Sequence, residues 1–120
     1  MYSIFVNERA SRVDICFVGM TTSEEFVSFD QKLRAAAIKA KGAGAHFDLI
    51  VDFSEAALMS QEMAVDTQGT IAWCIANGLR KSANLTSSTL MKMQVQRVSS
   101  NDRFQTFGCR ADAEVWLAEP

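Results

Sequence analysis

Cys109 stands beside Arg110 just ahead of the chain's last helical pattern, a setting in which a neighbouring cation favours the thiolate that cysteine nucleophiles use. No histidine lies near it in sequence, so a base has to arrive by folding, and an inert capping thiol is the plainer expectation. His46 is the only histidine and sits in a Gly/Ala-rich loop before a strand, which suits a solvated or packing role. Asp48 and Asp52 fall four apart on that strand, on one face but about 13 Å from each other, too far for a carboxylate dyad. Asp52 is instead placed to orient the turn that follows. Ser87, Ser88 and Thr89 form a hydroxyl-rich run of the kind that cradles phosphate, without the glycines and lysine of a P-loop, so a helix cap accounts for them. Cys16, Cys74 and Cys109 are odd in number and widely spaced. They offer neither a disulfide framework nor a Cys-x-x-Cys site, and with one histidine no metal or cofactor is expected.

The methionines are distributed less evenly. Met20, Met59, Met63, Met91 and Met93 all follow the C-terminal ends of expected strands, the edge at which parallel α/β sheets bind ligands. Methionine adapts to varied apolar partners, so Met20, Met59, Met63 and Met91 are candidates to line a groove for a hydrophobic ligand or a partner's helix, with gap-filling in the core as the plainer role.

These residues are carried on alternating elements. Tyr2-Val6 and Arg12-Val18 read as two strands around a polar turn, with Val13, Ile15 and Phe17 on one face, and should form an antiparallel hairpin. Thr21 or Thr22 with Glu24 or Glu25 starts a helix through a capping box, and Phe26, Phe29, Leu33 and Ala40 follow at helical spacing until Gly42-Ala43-Gly44 stops it. Asp48-Phe53 is an apolar strand suited to burial on both faces. A second helix from about Ser60 turns Met63, Ala64, Ile71, Cys74 and Ile75 inward and ends at Asn77-Gly78-Leu79, with Gly69 implying close approach to another backbone. A short strand near Ala83-Thr86, a helix to Val98, a strand at Arg103-Phe107 and a helix at Ala111-Ala118 complete the chain. Trp73 and Trp116 read as core anchors. The order β-β-α-β-α-β-α-β-α implies an α/β domain with right-handed crossovers.

Composition narrows the classes further. The 120 residues are 48% hydrophobic and 22% charged, which suits one globular domain over residues 1–120. Twelve basic residues against fourteen acidic ones give a net charge of -2, and the longest basic run is Arg80-Lys81, so no nucleic-acid surface is expected. No apolar stretch approaches the roughly 20 residues of a membrane span, and the N-terminus lacks the order of a signal peptide. A cytoplasmic protein without a transmembrane segment is expected.

"VGMTTSEEF" after the second strand, "LIVDFS" as the third strand and the C-terminal "FGCRADAEVWL" resemble the small stand-alone bacterial proteins of the STAS superfamily, the sulfate transporter and anti-sigma factor antagonist domains. The resemblance implies a mostly parallel sheet of about five strands built as a superhelix of β-α units behind the N-terminal hairpin, a fold similar to that of lipid-binding Sec14 domains. It implies a non-enzymatic regulatory or protein-interaction role. That family carries an Asp-Ser-Ser/Thr-Gly motif at the start of the second helix, whose serine is phosphorylated. Here the matching stretch is Ser60-Gln61-Glu62-Met63: the glycine is absent, Glu62 occupies the phosphoacceptor position, and Ser60 suits an N-cap, so the phosphoserine switch should be missing. The alternative function is binding of an acyl chain or lipid at the methionine edge. Apolar residues on both faces of the hairpin further imply a homodimer built on its strands, through Ile4, Val6 and Val18.

Overall fold

The computed structural model describes residues 1–120. Strands β1 (Tyr2–Asn7), β2 (Arg12–Gly19), β3 (Phe47–Ala56), β4 (Leu79–Leu85) and β5 (Phe104–Phe107) form one sheet in sequential order. The β1–β2 pair is antiparallel and every later pair parallel. Helices α1 (Ser23–Lys41), α2 (Gln61–Ala76), α3 (Thr89–Val98) and α4 (Arg110–Ala118) alternate with them. This is the expected α/β architecture with its N-terminal hairpin.

Local chemistry explains the best-defined element. Thr22 accepts the Glu25 N–H at 3.1 Å while Glu25 accepts the Thr22 N–H at 3.3 Å, a reciprocal capping box that satisfies two donors at the start of α1. The Met1 ammonium adds an ion pair to Glu25 at 3.1 Å. Glu25 is thereby held below the ordinary carboxylate range, chiefly by the hydrogen bond from that ammonium and then by the Thr22 backbone.

The core lies mainly on one face of the sheet. Val13, Ile15 and Phe17 of β2 with Leu49, Val51 and Phe53 of β3 pack beneath Phe26, Phe29 and Leu33 of α1, Cys74 of α2, and Met91 and Val95 of α3. On the opposite face a smaller cluster joins Ile50, Ala83 and Leu85 to Ala113 and Leu117 of α4. The unbroken apolar run of β3 is thus buried on both sides, as its sequence implies.

Three expectations change. β4 begins at Leu79, not near Ala83: Gly78 turns the chain with φ +107° and Leu79 enters the sheet directly, with only 2% exposure. Gly69 is exposed with no atom within 4 Å of an added Cβ, so no neighbouring backbone demands it. Finally, Ile4 and Val6, expected at a subunit interface, pair with Ile15 and Val13 and pack half-buried against the main core. A two-residue side-chain period puts Phe5, not Ile4 or Val6, on the uncovered face, where it is 65% exposed and Val18 38%. The other face is less bare than expected because α4 crosses to it, and the Arg110 guanidinium at its start pairs with Asp14 of β2.

Candidate functional site

The corner following β3 is positioned by three separate hydrogen-bonding devices. Gly19 ends β2 with φ +67°, and its carbonyl accepts the Ala57 N–H at 3.0 Å, tying the exits of β2 and β3 together. Gln94 of α3 then brackets the Met59 backbone, accepting its N–H at 2.8 Å and donating to its carbonyl at 2.9 Å. Ser60 caps α2 by accepting the Met63 N–H at 3.1 Å. The Thr67 hydroxyl, one turn further, donates to the Met63 carbonyl at 2.7 Å.

These contacts bring four of the sequence-selected residues around one cleft. Met20, Met59, Ser60 and Met63 line a cavity of about 170 Å³, floored by Phe17 and Phe53. Met20 is 74% exposed at its mouth, Met59 is buried and Met63 half-buried. Gln61 and Glu62 lie exposed on the first turn of α2 beside it, where the carboxylate of Glu62 complements the positive end of the helix. Met91 does not join them: it is 2% exposed and belongs to the main core, because the first turn of α3 points it back onto the sheet.

The remaining chemical candidates are dispersed. Asp52 accepts the Ser54 N–H at 2.8 Å and so shapes the chain at the end of β3. Asp48 is bound by Arg80, with the Arg80 Nε 3.0 Å from one carboxylate oxygen and an NH2 group 2.7 Å from the other. His46 is exposed. Ser88 caps α3 by accepting the Met91 N–H at 3.2 Å, and Thr86 accepts the Ser88 N–H at 3.1 Å. Cys109 precedes α4 exposed and makes no capping bond, while Arg110 is spent on Asp14 and on Glu114 at 3.5 Å. The tryptophans are half-buried, not fully interior: the Arg34 guanidinium lies 5.1 Å from the Trp73 ring and the Lys81 ammonium 4.9 Å from that of Trp116. No three His, Cys, Asp or Glu side chains gather into a set that could hold a metal ion.

The thiols are separated by environment. Burial pushes Cys74 up to about 12, while Cys16 is raised first by burial and then by the carboxylates of Asp52 and Glu55. At pH 8 only roughly one Cys74 in ten thousand is a thiolate. Ellman's reagent should therefore label Cys109 quickly and Cys16 slowly, leaving Cys74 untouched until denaturant is added. Rapid labelling of all three in the native protein would contradict the packing of α2.

The arrangement, a mixed sheet in sequential order with an antiparallel edge hairpin and a capped corner after the third strand, is a SpoIIAA-like fold. Among solved structures, the chain is similar to an uncharacterized DUF3478-family protein with a SpoIIAA-like fold from Shewanella loihica PV-4. The TM-score is 0.73 at 17% identity, covering 98% of this chain and 94% of that one. It is also similar to the anti-sigma factor antagonist SpoIIAA in its unphosphorylated form, with a TM-score of 0.70 and 15% identity over 98% and 96% of the two chains. The Bacillus cell fate determinant SpoIIAA in its phosphorylated form gives 0.67 and 16% over 98% and 99%. No protein-family model and no curated protein matches the chain. No helix is long and apolar enough to cross a membrane.

Proposed function

We propose that the chain is a non-enzymatic regulatory or protein-interaction module, a single domain that works in the cytoplasm and docks a partner protein at the corner between β3 and α2 without serine phosphorylation. The observation that carries this reading is the first turn of α2: Glu62 is exposed there as a permanent negative charge, while the hydroxyl of Ser60 is engaged as the helix cap. The likeness to SpoIIAA, an anti-sigma factor antagonist described in phosphorylated and unphosphorylated forms, supports an interaction role for the fold. Met20 and Leu58, both exposed beside the corner, supply apolar contact area. Incubation with bacterial serine kinases followed by mass-spectrometric mapping should find no stoichiometric phosphate on Ser54 or Ser60. Stoichiometric phosphate on either, with loss of a bound partner, would overturn the reading.

Self-association belongs to the same proposal. β1 is an edge strand, and Phe5, opposite Asp14, and Val18, further along β2, stand exposed on the hairpin face away from α1. Native mass spectrometry of protein from its own source should give twice the 13.2 kDa chain mass, and Phe5→Asp should return it to the single mass. The chain mass alone at every concentration would remove the dimer.

The methionine-lined cleft favours a second reading, binding of a small hydrophobic ligand. Its volume of about 170 Å³ falls short of a typical drug-sized pocket of roughly 300 Å³ or more, so a short acyl segment suits it. Met59→Ala with Met63→Ala should abolish capture of a fluorescent acyl probe while the circular dichroism spectrum is kept; unchanged capture would return these residues to packing.

A further inference from the structure

β4 places polar side chains where an apolar face is required. In the main core the neighbouring rows read Leu49, Ser82, Phe104 and Val51, Asn84, Thr106 across β3, β4 and β5. Ser82 is 1% exposed and its buried hydroxyl has no hydrogen-bond partner; Asn84 is 4% exposed and lines the edge of an open polar cleft. Buried polar groups are almost always paired, because an unpaired one has given up water for nothing. Apolar residues at both positions would serve the fold better.

The space around them is divided in a way that accounts for this. An apolar cavity of about 60 Å³ lies between the sheet and α2, with Ser82 and Asn84 in its wall; it has room for about four or five water-sized groups. A second, polar cleft of about 290 Å³ opens to solvent between α3 and β5, lined by Lys92, Gln96, Gln105 and Thr106. Asn84, Ser99 and Phe104 line both. Lys92 forms no ion pair, and no acidic side chain lines the cleft or the adjoining one that shares Lys92 and Thr106. The outer cleft therefore favours an anion, the inner cavity a short apolar chain, and the boundary a hydrogen-bonding group.

We propose that the two adjoining spaces, the cleft at Lys92 and the cavity at Ser82 with Asn84 at their shared wall, form a binding site for a small anionic amphiphile, its charged head at Lys92 and its short apolar tail in the cavity beneath α2. The inner cavity shares Phe17, Phe53 and Met63 with the Met20 cleft, but Ser82, Asn84 and Lys92 line none of that cleft, so the site is distinguished from it by its polar groups. Asn84 holds the junction between head and tail, and Ser82 bonds to the polar atom nearest the tail. Methylene-scale tails fit, whereas long acyl chains do not.

Titration of 15N-labelled protein with hexanoate and with hexyl phosphate, against uncharged 1-hexanol, tests this and separates a carboxylate head from a phosphate head. Saturable shifts should centre on the Asn84 side-chain amide and the Ser82 N–H for at least one anion, with 1-hexanol weaker. Ser82→Ala and Asn84→Leu should each weaken binding by about tenfold, and Ser82→Ala should leave the melting temperature equal or higher, because it removes an unpaired buried hydroxyl. Lys92→Gln should weaken the anions and not the alcohol. Should Asn84→Leu fail to fold, Ser82→Ala, nearly isosteric, decides the matter. No saturable shift at millimolar ligand, or shifts that centre on Met20 and Met59, which line only the methionine cleft, and survive Ser82→Ala, would overturn the site; the latter result would instead favour that cleft.

Discussion

Arg80→Ala should destabilise the fold by about 3 kcal/mol, the largest loss expected from any single surface-reaching side chain. Arg80 stands at the start of β4 on the face covered by α4 and holds both oxygens of Asp48, which is 8% exposed. The same guanidinium donates to the carbonyl of Glu119 at 2.8 Å and to that of Leu117, and the Lys81 ammonium adds bonds to the carbonyls of Trp116 and Glu119 at 2.9 Å each. Those carbonyls are the unsatisfied, negative end of α4, so two cations fasten the only helix on this face. Truncation strands a buried carboxylate and frees the helix end together. Bonding to Asp48 also raises the pKa of Arg80, so this contribution is fully present below the ordinary arginine range and is lost only as pH rises through the raised value. Urea unfolding should show the loss, with a fall in Tm on the order of 10 °C. Arg80→Lys should recover less than half, since an ammonium cannot hold Asp48 bidentately while reaching two carbonyls. A loss below about 1 kcal/mol would mean that water replaces the clamp.

The clamp also shows where the sequence stops being informative. Arg80-Lys81 is visible there only as the longest basic run; that both side chains serve a helix nearly 40 positions later depends on α4 crossing to the second face. No periodicity encodes that crossing, because an apolar stripe states that a face is covered and not by what. Signals contained within one turn were legible: the Thr22–Glu25 box, the Ser60 and Ser88 caps, and β3 buried on both sides. Ser82 and Asn84 were not. In a strand with Ala83 and Leu85 apolar, a period of two assigns the polar pair to solvent, yet both faces of β4 are buried and the polar pair turns toward the main core. Met91 stands apart from the cleft for a related reason, since its place after β4 marks the sheet edge while its helical phase sends it inward. Of the expected site, the part carried by the β3–α2 corner is assembled by local caps and is found together.

Two glycines test this view with opposite signs. Gly78→Ala should destabilise by at least about 2 kcal/mol, because φ of +107° is disfavoured for any residue with a Cβ and the added atom would sit 2.7 Å from the Ala45 carbonyl oxygen. Neither group can step aside easily. The Gly78 carbonyl accepts the Phe47 N–H at 3.0 Å, and Phe47, 1% exposed, pairs with Leu79 where β3 and β4 begin. Relief of the clash must therefore shift the entry of both central strands. Gly69→Ala should instead stabilise by roughly 1 kcal/mol: the position is inside α2, exposed, with nothing within 4 Å of the new methyl, and alanine both favours the helix and narrows the unfolded ensemble. Paired urea titrations with unchanged slope give both values. If Gly69→Ala proved destabilising, α2 would have to come closer to a neighbour than its open outer face allows, and if Gly78→Ala were neutral, the turn into β4 would have to relax without moving Phe47.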